Sequence, residues 1–339
     1  MKLVKRKFPK SRLRRTRMKS FSRKMVSENN LTANDVIWPL FLTEDSKTKV
    51  EIKTMPNVYR YPIEVLLKEL EAPVKQGLNA IALFPHISNS KKDDKGTHAF
   101  AHDNIICTSI KKINQEYPHL GIICDVALDP YTSHGHDGVI SHGEVDNDKT
   151  LVKLVEQALL LADSGCDILA PSDMMDGRVG RIRSALEQNE HQDILIMSYA
   201  VKYCSALYGP FRDAVNAGNL VEPGNKKSYQ MDIANTDEAM HEISLDINEG
   251  ADMIMIKPGL PYLDIISRAK DLFSIPTYAY QVSGEYSMIV SASQKNHLNE
   301  MDAILETMLC FKRAGANGIF TYFAPKILNY LSKINSHLI

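Results

Sequence analysis

Two lysines stand where an amine can be reactive rather than merely charged. Lys257 closes the apolar run ADMIMIKPGLPYLD, and Lys202 follows a second such run in DILIMSYAVKYCSALYGPFRDA. An ammonium at the end of an apolar strand is partly desolvated, and a second cation nearby opposes protonation further. Both effects pull the pKa from about 10.4 toward neutrality, where the free amine is nucleophilic enough to form a Schiff base with a ketone. Most lysines are surface charges or carboxylate partners. Lys257 is set apart by Pro258-Gly259, which stops the strand and fixes the lysine at its end.

Other chemistry-bearing residues give weaker patterns. His134 and His136 form an H-x-H pair of the kind found in metal-dependent hydrolases on barrels. Such a site needs further His or Asp ligands from other strand ends, and only His86 and His142 lie in suitable loops, so the set is incomplete. Cys107, Cys124, Cys166, Cys204 and Cys310 are odd in number and lack C-x-x-C spacing. A reduced compartment follows more simply than a disulfide framework or a cysteine zinc site.

The elements that must position these groups are legible as alternation. Eight short apolar runs rich in β-branched residues occupy 35–42, 80–85, 121–129, 167–172, 193–200, 251–258, 276–283 and 317–324. Between them lie segments of helical period, among them 151–165, 236–250 and 301–315, and these three end in glycine just before the next strand, as a helix C-cap requires. Thr236, with Ala239 three residues on, is expected as a plain N-cap without a capping box. Eight β-α units fit either a closed parallel barrel or an open doubly wound sheet. The G-x-G-x-x-G fingerprint after the first strand is absent, which favours a (β/α)8 TIM barrel. Adjacent strand ends then deliver Lys202 and Lys257 to one rim. The long connections 130–149 and 201–235 belong on that same face.

Net charge is −1, with 44% hydrophobic and 24% charged residues, as in an ordinary soluble protein. That near-neutrality hides an asymmetry. Residues 1–30 carry twelve Lys/Arg against one acid, Glu28, whereas 31–339 carry 28 basic and 40 acidic residues, a net −12. The expected organisation is an N-terminal arm over 1–30 and a catalytic barrel over 31–339. A cationic arm can bind nucleic acid, direct a chain to an organelle, lie on an acidic neighbouring subunit, or remain solvated. Only Phe8 and Phe21 are aromatic within it, so nucleic-acid stacking has little support. No run of about 18 apolar residues exists for a membrane span, and the start has no signal-peptide h-region. A cytoplasmic location is therefore expected.

At this point the segments MIMIKPGLPYLD, MSYAVKYCSALYGPFRDA, APSDMMDGRVGRIR, YTSHGHDG and QVSGEYSM become specific. Together and in this order, they resemble the signature stretches of the porphobilinogen synthase (5-aminolevulinate dehydratase) family, in register from about residue 12 onward. The resemblance implies a lyase that condenses two molecules of 5-aminolevulinate, with Schiff bases at Lys202 and Lys257. Lys257 would hold the substrate that becomes the propionyl side of the product, and Lys202 the one that becomes the acetyl side. It also implies that Arg212, Lys226 and Gln230 grip one substrate carboxylate. Ser283 and Tyr322 would bind the other, with Asp125 and Ser172 near that substrate's amine. Family members often carry Arg where this chain has Lys226, which replaces a bidentate fork with a point charge. Tyr208, beside Arg212, is as fitting a wall as a catalyst, and Phe84 less fitting as a catalyst.

The same resemblance marks a departure. Zinc-dependent members carry three cysteines after strand 3, where this chain has Ala127, Asp129 and Asp137. No zinc is expected at this cysteine-type position. Asp129 and Asp137 suit a hard cation such as Mg²⁺ or no stable metal. A second, allosteric Mg²⁺ site is implied at Glu242, which from residues alone is a helix-surface acid. No organic cofactor is expected. The family's arm embraces a neighbouring barrel in homo-octamers that shift to smaller forms, and an arm of +11 on a body of −12 gives that docking a physical basis. A one-lysine aldolase is the rival enzyme, since it would need only Lys257.

Overall fold

A computed structural model describes residues 7–217 and 225–336. Residues 1–6 of the expected arm, 218–224 of the expected fifth connection, and 337–339 of the expected barrel unit lie outside the described residues.

Eight parallel strands form one ring: β1 (Val36–Thr43), β2 (Ala80–His86), β3 (Gly121–Val126), β4 (Ile168–Pro171), β5 (Leu195–Lys202), β6 (Met253–Lys257), β7 (Thr277–Tyr280) and β8 (Gly318–Phe320). The ring closes where β1 meets β8 through Val36↔Ile319 and Ile37↔Phe320. Every residue of β1 is buried, as expected for a parallel strand covered on both faces. Completely buried Ile81, Ile123, Ile196 and Ile254 add aliphatic area to this core, each contributing about 1.5–3 kcal/mol relative to exposure.

Helices fill the connections: α1 (Ile63–Lys75), α2 (Ile105–Glu116), α3 (Asn147–Asp163), α4 (Arg178–Gln188), the short α5 (Gly209–Ala214), α6 (Asp237–Glu249), α7 (Leu263–Phe273), α8 (Ser283–Gln294), α9 (Glu300–Ala314) and α10 (Ala324–Ser336). Side-chain caps explain several starts. Asn104, Asp146 and Asn299 accept from the backbone N–H groups of Cys107, Lys149 and Asp302. Gly250 and Gly315 end α6 and α9 in the left-handed region at φ +106°, a conformation that glycine adopts without steric cost. Thr236 precedes α6 as expected, but its side chain makes no cap bond, because its backbone has left the extended region that aims a cap hydroxyl at the helix.

Three expected strands stop three or four residues before their apolar runs end. β3 stops at Val126 because its partner β4 ends at Pro171, which offers no N–H, and the chain turns where Tyr131 and Thr132 donate to the Leu128 carbonyl. β7 and β8 likewise end at Tyr280 and Phe320, which leaves Ser283 as the first residue of α8 and Tyr322 beyond its strand. The connection after β1 holds an unexpected hairpin, Val50–Glu51 with Tyr59–Tyr61, laid beside β1. Runs of two and three residues carry too little periodicity to read. This hairpin packs Tyr61 edge-on against Trp38 of β1, at 6.5 Å between ring centroids.

Behind β4 and β5 lies a buried ion cluster. Arg178, at the start of α4, donates to Asp246 of α6 at 3.3 Å, to Ser198 Oγ and the Tyr199 carbonyl at 3.2 Å each, and to the Met175 carbonyl at 3.2 Å. Asp173 lies 3.8 Å from its Nε. In the arm, Leu13–Arg17 and Ser20–Met25 form short helical turns with no buried residue, and Phe8, Leu13, Met18, Phe21 and Met25 are all exposed. Among the described residues, no helix is long and apolar enough to cross a membrane.

Candidate active site

Parallel pairing puts Lys202 and Lys257 side by side, because Lys257↔Lys202 is the last register pair between β5 and β6. Both are buried, yet their surroundings differ. Lys202 donates to the Ser172 carbonyl and to Asp137 at 3.3 Å. The Lys257 nitrogen instead sits among aromatic faces, 4.6 Å from the ring of Tyr280, 4.9 Å from Phe211, 5.0 Å from Tyr199 and 5.4 Å from Tyr208. Burial, followed by the charge of Lys202, brings the Lys257 pKa down to about 7, despite the opposing pull of Asp125, Asp129 and Asp137. Near neutrality a good fraction of this amine is unprotonated and nucleophilic.

The carboxylates divide by role. Burial, helped by Asp129, pushes Asp125 up to about 7 against the attraction of both lysines. Asp125 and Lys257 therefore titrate as a coupled pair in the same pH range. Burial also opposes ionisation of Asp137, but Lys202 and Lys226 together outweigh it and hold this carboxyl well below the usual range. Lys226 is 2.9 Å from Asp137 and 3.5 Å from Asp129. Although its burial favours the neutral amine, those two acids raise its pKa.

Asp125, Ser172, Lys202, Arg212, Lys226, Gln230, Lys257 and Asp129 thus border one cavity. It is nearly filled, with about 30 Å³ left, room for about two waters. Ser283 and Tyr322 stand behind the aromatic layer. Ser283 Oγ accepts from the Phe211 N–H at 3.0 Å, and Tyr322 shares a 3.0 Å hydrogen bond with Tyr280, so both touch residues that face Lys257.

Several residues went unnoticed in sequence. Tyr199, Phe211 and Tyr280 make the box around Lys257, and only the closed ring brings these three segments together. Tyr208 is both wall and anchor, its hydroxyl donating to the Lys257 carbonyl at 3.0 Å. Phe84 packs on Phe41 and Phe211 in the core. Glu285, in the motif QVSGEYSM, is buried and accepts three backbone N–H groups. It closes back on the Val282 N–H three residues earlier, but valine lacks the hydroxyl of a capping box, so the sequence carried no signal of this start.

The histidine pair does not assemble a metal site. His134 faces the Asp94 carbonyl, His136 faces the Tyr229 hydroxyl, and His86 pairs with Asp45. Among the described residues, no group of three or more His, Cys, Asp or Glu is gathered to hold an ion. Asp129 and Asp137 already neutralise lysines, so they do not fit a cation between them. Glu242 differs. It is half-buried beside a separate cavity of about 430 Å³ that Asp176, Asp232 and Glu238 also line. Burial first, and then Asp246, Asp176 and Glu238, push its pKa up to about 7, with Arg178 opposing. With Lys227 also in the lining and Arg178 only partly offsetting the acids, the excess of carboxylates would suit a largely hydrated divalent cation, which needs only one or two carboxylates. Gln230 borders both cavities, so the segment around it is the wall between them.

The family model for delta-aminolevulinic acid dehydratase matches residues 10–330. A delta-aminolevulinic acid dehydratase of Bradyrhizobium diazoefficiens is 51% identical over 315 residues, 93% of this chain and 89% of that protein. One from Rhodobacter capsulatus is 47% identical over 325 residues, covering 96% of this chain and 98% of that one. The crystal structure of delta-aminolevulinic acid dehydratase (porphobilinogen synthase) from Toxoplasma gondii ME49, in complex with its reaction product porphobilinogen, superposes with a TM-score of 0.92 at 41% identity. That match covers 94% of this chain and 91% of that one.

Proposed function

The chain belongs to the delta-aminolevulinic acid dehydratase family, whose activity is porphobilinogen synthesis, and we propose that Lys202 and Lys257 perform that condensation here. The reaction is a lyase reaction of tetrapyrrole synthesis. Two 5-aminolevulinate molecules join asymmetrically, and two waters leave. The observation that carries the assignment is the register pairing of two buried lysines, one of them brought to about pKa 7.

The Lys257 amine attacks the ketone of the substrate that becomes the propionyl side, and Lys202 attacks that of the acetyl-side substrate. Each attack expels one water and leaves an iminium, an electron sink that acidifies the adjacent carbon for C–C bond formation. C–C bond formation turns one iminium into a lysine amine that leaves by elimination. The free amine of one substrate displaces the lysine from the other iminium carbon. Loss of a proton aromatises the ring, so both lysines are regenerated and the net loss is the two waters. Asp137 meets the ammonium of Lys202 at 3.3 Å and, kept ionised by Lys202 and Lys226, balances its charge. Arg212, Lys226 and Gln230 grip one substrate carboxylate, Ser283 and Tyr322 the other. Asp125 and Ser172 face the propionyl-side substrate's free amine. The aromatic box around Lys257 excludes water from its iminium.

Glu242, with Asp176 and Glu238 close by, would hold a mostly hydrated Mg²⁺ acting through the shared wall at Gln230. Such an ion would supply charge neutralisation at a distance from the lysines. The arm over 1–30 would dock on a neighbouring subunit in a homo-octamer, within a cytoplasmic enzyme that binds no nucleic acid.

Borohydride added with 5-aminolevulinate should label both Lys202 and Lys257, read by peptide mass spectrometry. Activity lost in Lys257→Ala but kept in Lys202→Ala would overturn the two-lysine reading in favour of a one-lysine aldolase. Porphobilinogen colour formation in EDTA, Mg²⁺ and Zn²⁺ tests the metal: Mg²⁺ should raise activity, and Zn²⁺ should not be required. Equal rates in EDTA and Mg²⁺ would remove Glu242 from the account.

A further inference from the structure

The turn that carries Lys257 has its backbone groups held from outside its own strand. The Lys257 carbonyl accepts from the Tyr203 N–H and the Tyr208 hydroxyl, each at 3.0 Å. Pro258 has no N–H to place. The next two donors, Gly259 N–H and Leu260 N–H, both go to the carboxylate of Glu285, at 3.3 and 2.8 Å. The third contact of that carboxylate is the N–H of Val282 at 2.8 Å, immediately before Ser283.

One buried side chain thus joins the end of β6 to the start of α8. There is no slack around the turn. A Cβ on Gly259 would come within 2.5 Å of the Phe311 ring and 2.9 Å of the Tyr280 carbonyl. No Lys or Arg pairs with Glu285 among the described residues, and burial pushes its carboxyl up to about 7 against the three N–H donors. A buried acid without a cation is a costly way to cap a helix, for which a serine would suffice. Its three acceptor directions, reaching two segments at once, are what a shorter cap lacks.

We propose that Glu285 is a positioning residue that fixes Lys257 relative to Ser283, so that one substrate can be bonded at its ketone and gripped at its carboxylate together. The inference rests on the reading of Lys257 as a Schiff-base lysine. Glu285 touches no substrate and acts only through the backbone of its neighbours. Glu285→Gln keeps the shape but turns one acceptor oxygen into a donor, which then faces an N–H that it cannot accept.

The test compares rates of borohydride labelling by 5-aminolevulinate at the two lysines in wild type and Glu285→Gln. Labelling at Lys257 should slow by about tenfold or more, as misplacement of a reacting group does. Labelling at Lys202 should stay within about twofold, because Lys202 is anchored elsewhere. Equal slowing at both lysines, or no slowing at either, overturns the proposal. If Glu285→Gln does not fold, Glu285→Asp is read in the same way, since it keeps the charge and withdraws the carboxylate by one methylene. Absence of labelling at both lysines in the wild type would instead refute the Schiff-base reading itself, so the two failures are distinct.

Discussion

For a single residue, the reactive amine is made by its neighbours' geometry. Lys257 loses solvation among four rings and faces Lys202, and its pKa of about 7 is coupled to that of Asp125. A lysine depressed in this way gains reactivity as pH rises through 7, so borohydride labelling at Lys257 should show an acid limb centred near pH 7 that belongs to the pair. Asp125 favours the ammonium form. Asp125→Asn removes that support and should move the limb to lower pH; a limb that stays put or rises would contradict the coupling. The sequence announced Lys257, because an apolar run ending in Lys-Pro-Gly is a local pattern, whereas Lys202, just past its run, stood out through the family resemblance. It was silent about the aromatic box, since Tyr199, Phe211 and Tyr280 come from three segments that only ring closure unites. Lys226 drew notice only through the family resemblance, and its partners Asp129 and Asp137 were not legible, because ion pairing across 89–97 residues leaves no periodic trace.

At the scale of elements, the loop after β5 is steadied by the hairpin after β1. Arg60 donates to the Ala214 carbonyl at 2.9 Å and to the Asp213 carbonyl and carboxylate at 2.5 and 3.1 Å, fixing α5 and hence Arg212 and Phe211. Arg60→Ala removes hydrogen bonding worth about 1–1.5 kcal/mol, which should raise KM for 5-aminolevulinate about five- to tenfold and leave the rate at saturation nearly unchanged. Steady-state kinetics decides it; a fall in kcat alone would count against an anchoring role. The ion cluster behind β4 and β5 predicts a different loss. Arg178→Met leaves Asp173 and Asp246 buried without their counter-charge, at a cost of about 3–5 kcal/mol. The urea midpoint should fall accordingly, whereas an unchanged midpoint would mean that the acids protonate freely. All eight strands followed from alternation, but their ends did not, because β3, β7 and β8 stop where partners or turns withdraw hydrogen bonds rather than where hydrophobicity ends.

Considered whole, the molecule is an acidic barrel with a cationic, partly apolar arm. Phe8, Phe21 and Met25 are 75%, 62% and 78% exposed, and a lone subunit gains nothing by displaying them. Removing residues 1–30 should lower the assembly state and the activity together, measured by light scattering after size exclusion alongside the porphobilinogen assay. An octamer that survives truncation would refute the docking role. Charge asymmetry was plain in the sequence because it is a matter of counting, while the hairpin that braces α5 was hidden in two strands of two and three residues.

That hairpin has an optical consequence. Trp38 is the chain's single tryptophan, and it lies buried on β1 with the Tyr61 ring edge against it. Tyr61 is the neighbour of Arg60 and so belongs to the brace that holds α5 over the lysines. Emission excited selectively from one indole therefore reports on the brace without any label. If substrate binding shifts α5, the signal arises from a single known place, and an unaltered spectrum at saturation would mean that the brace is already in its working position before substrate arrives.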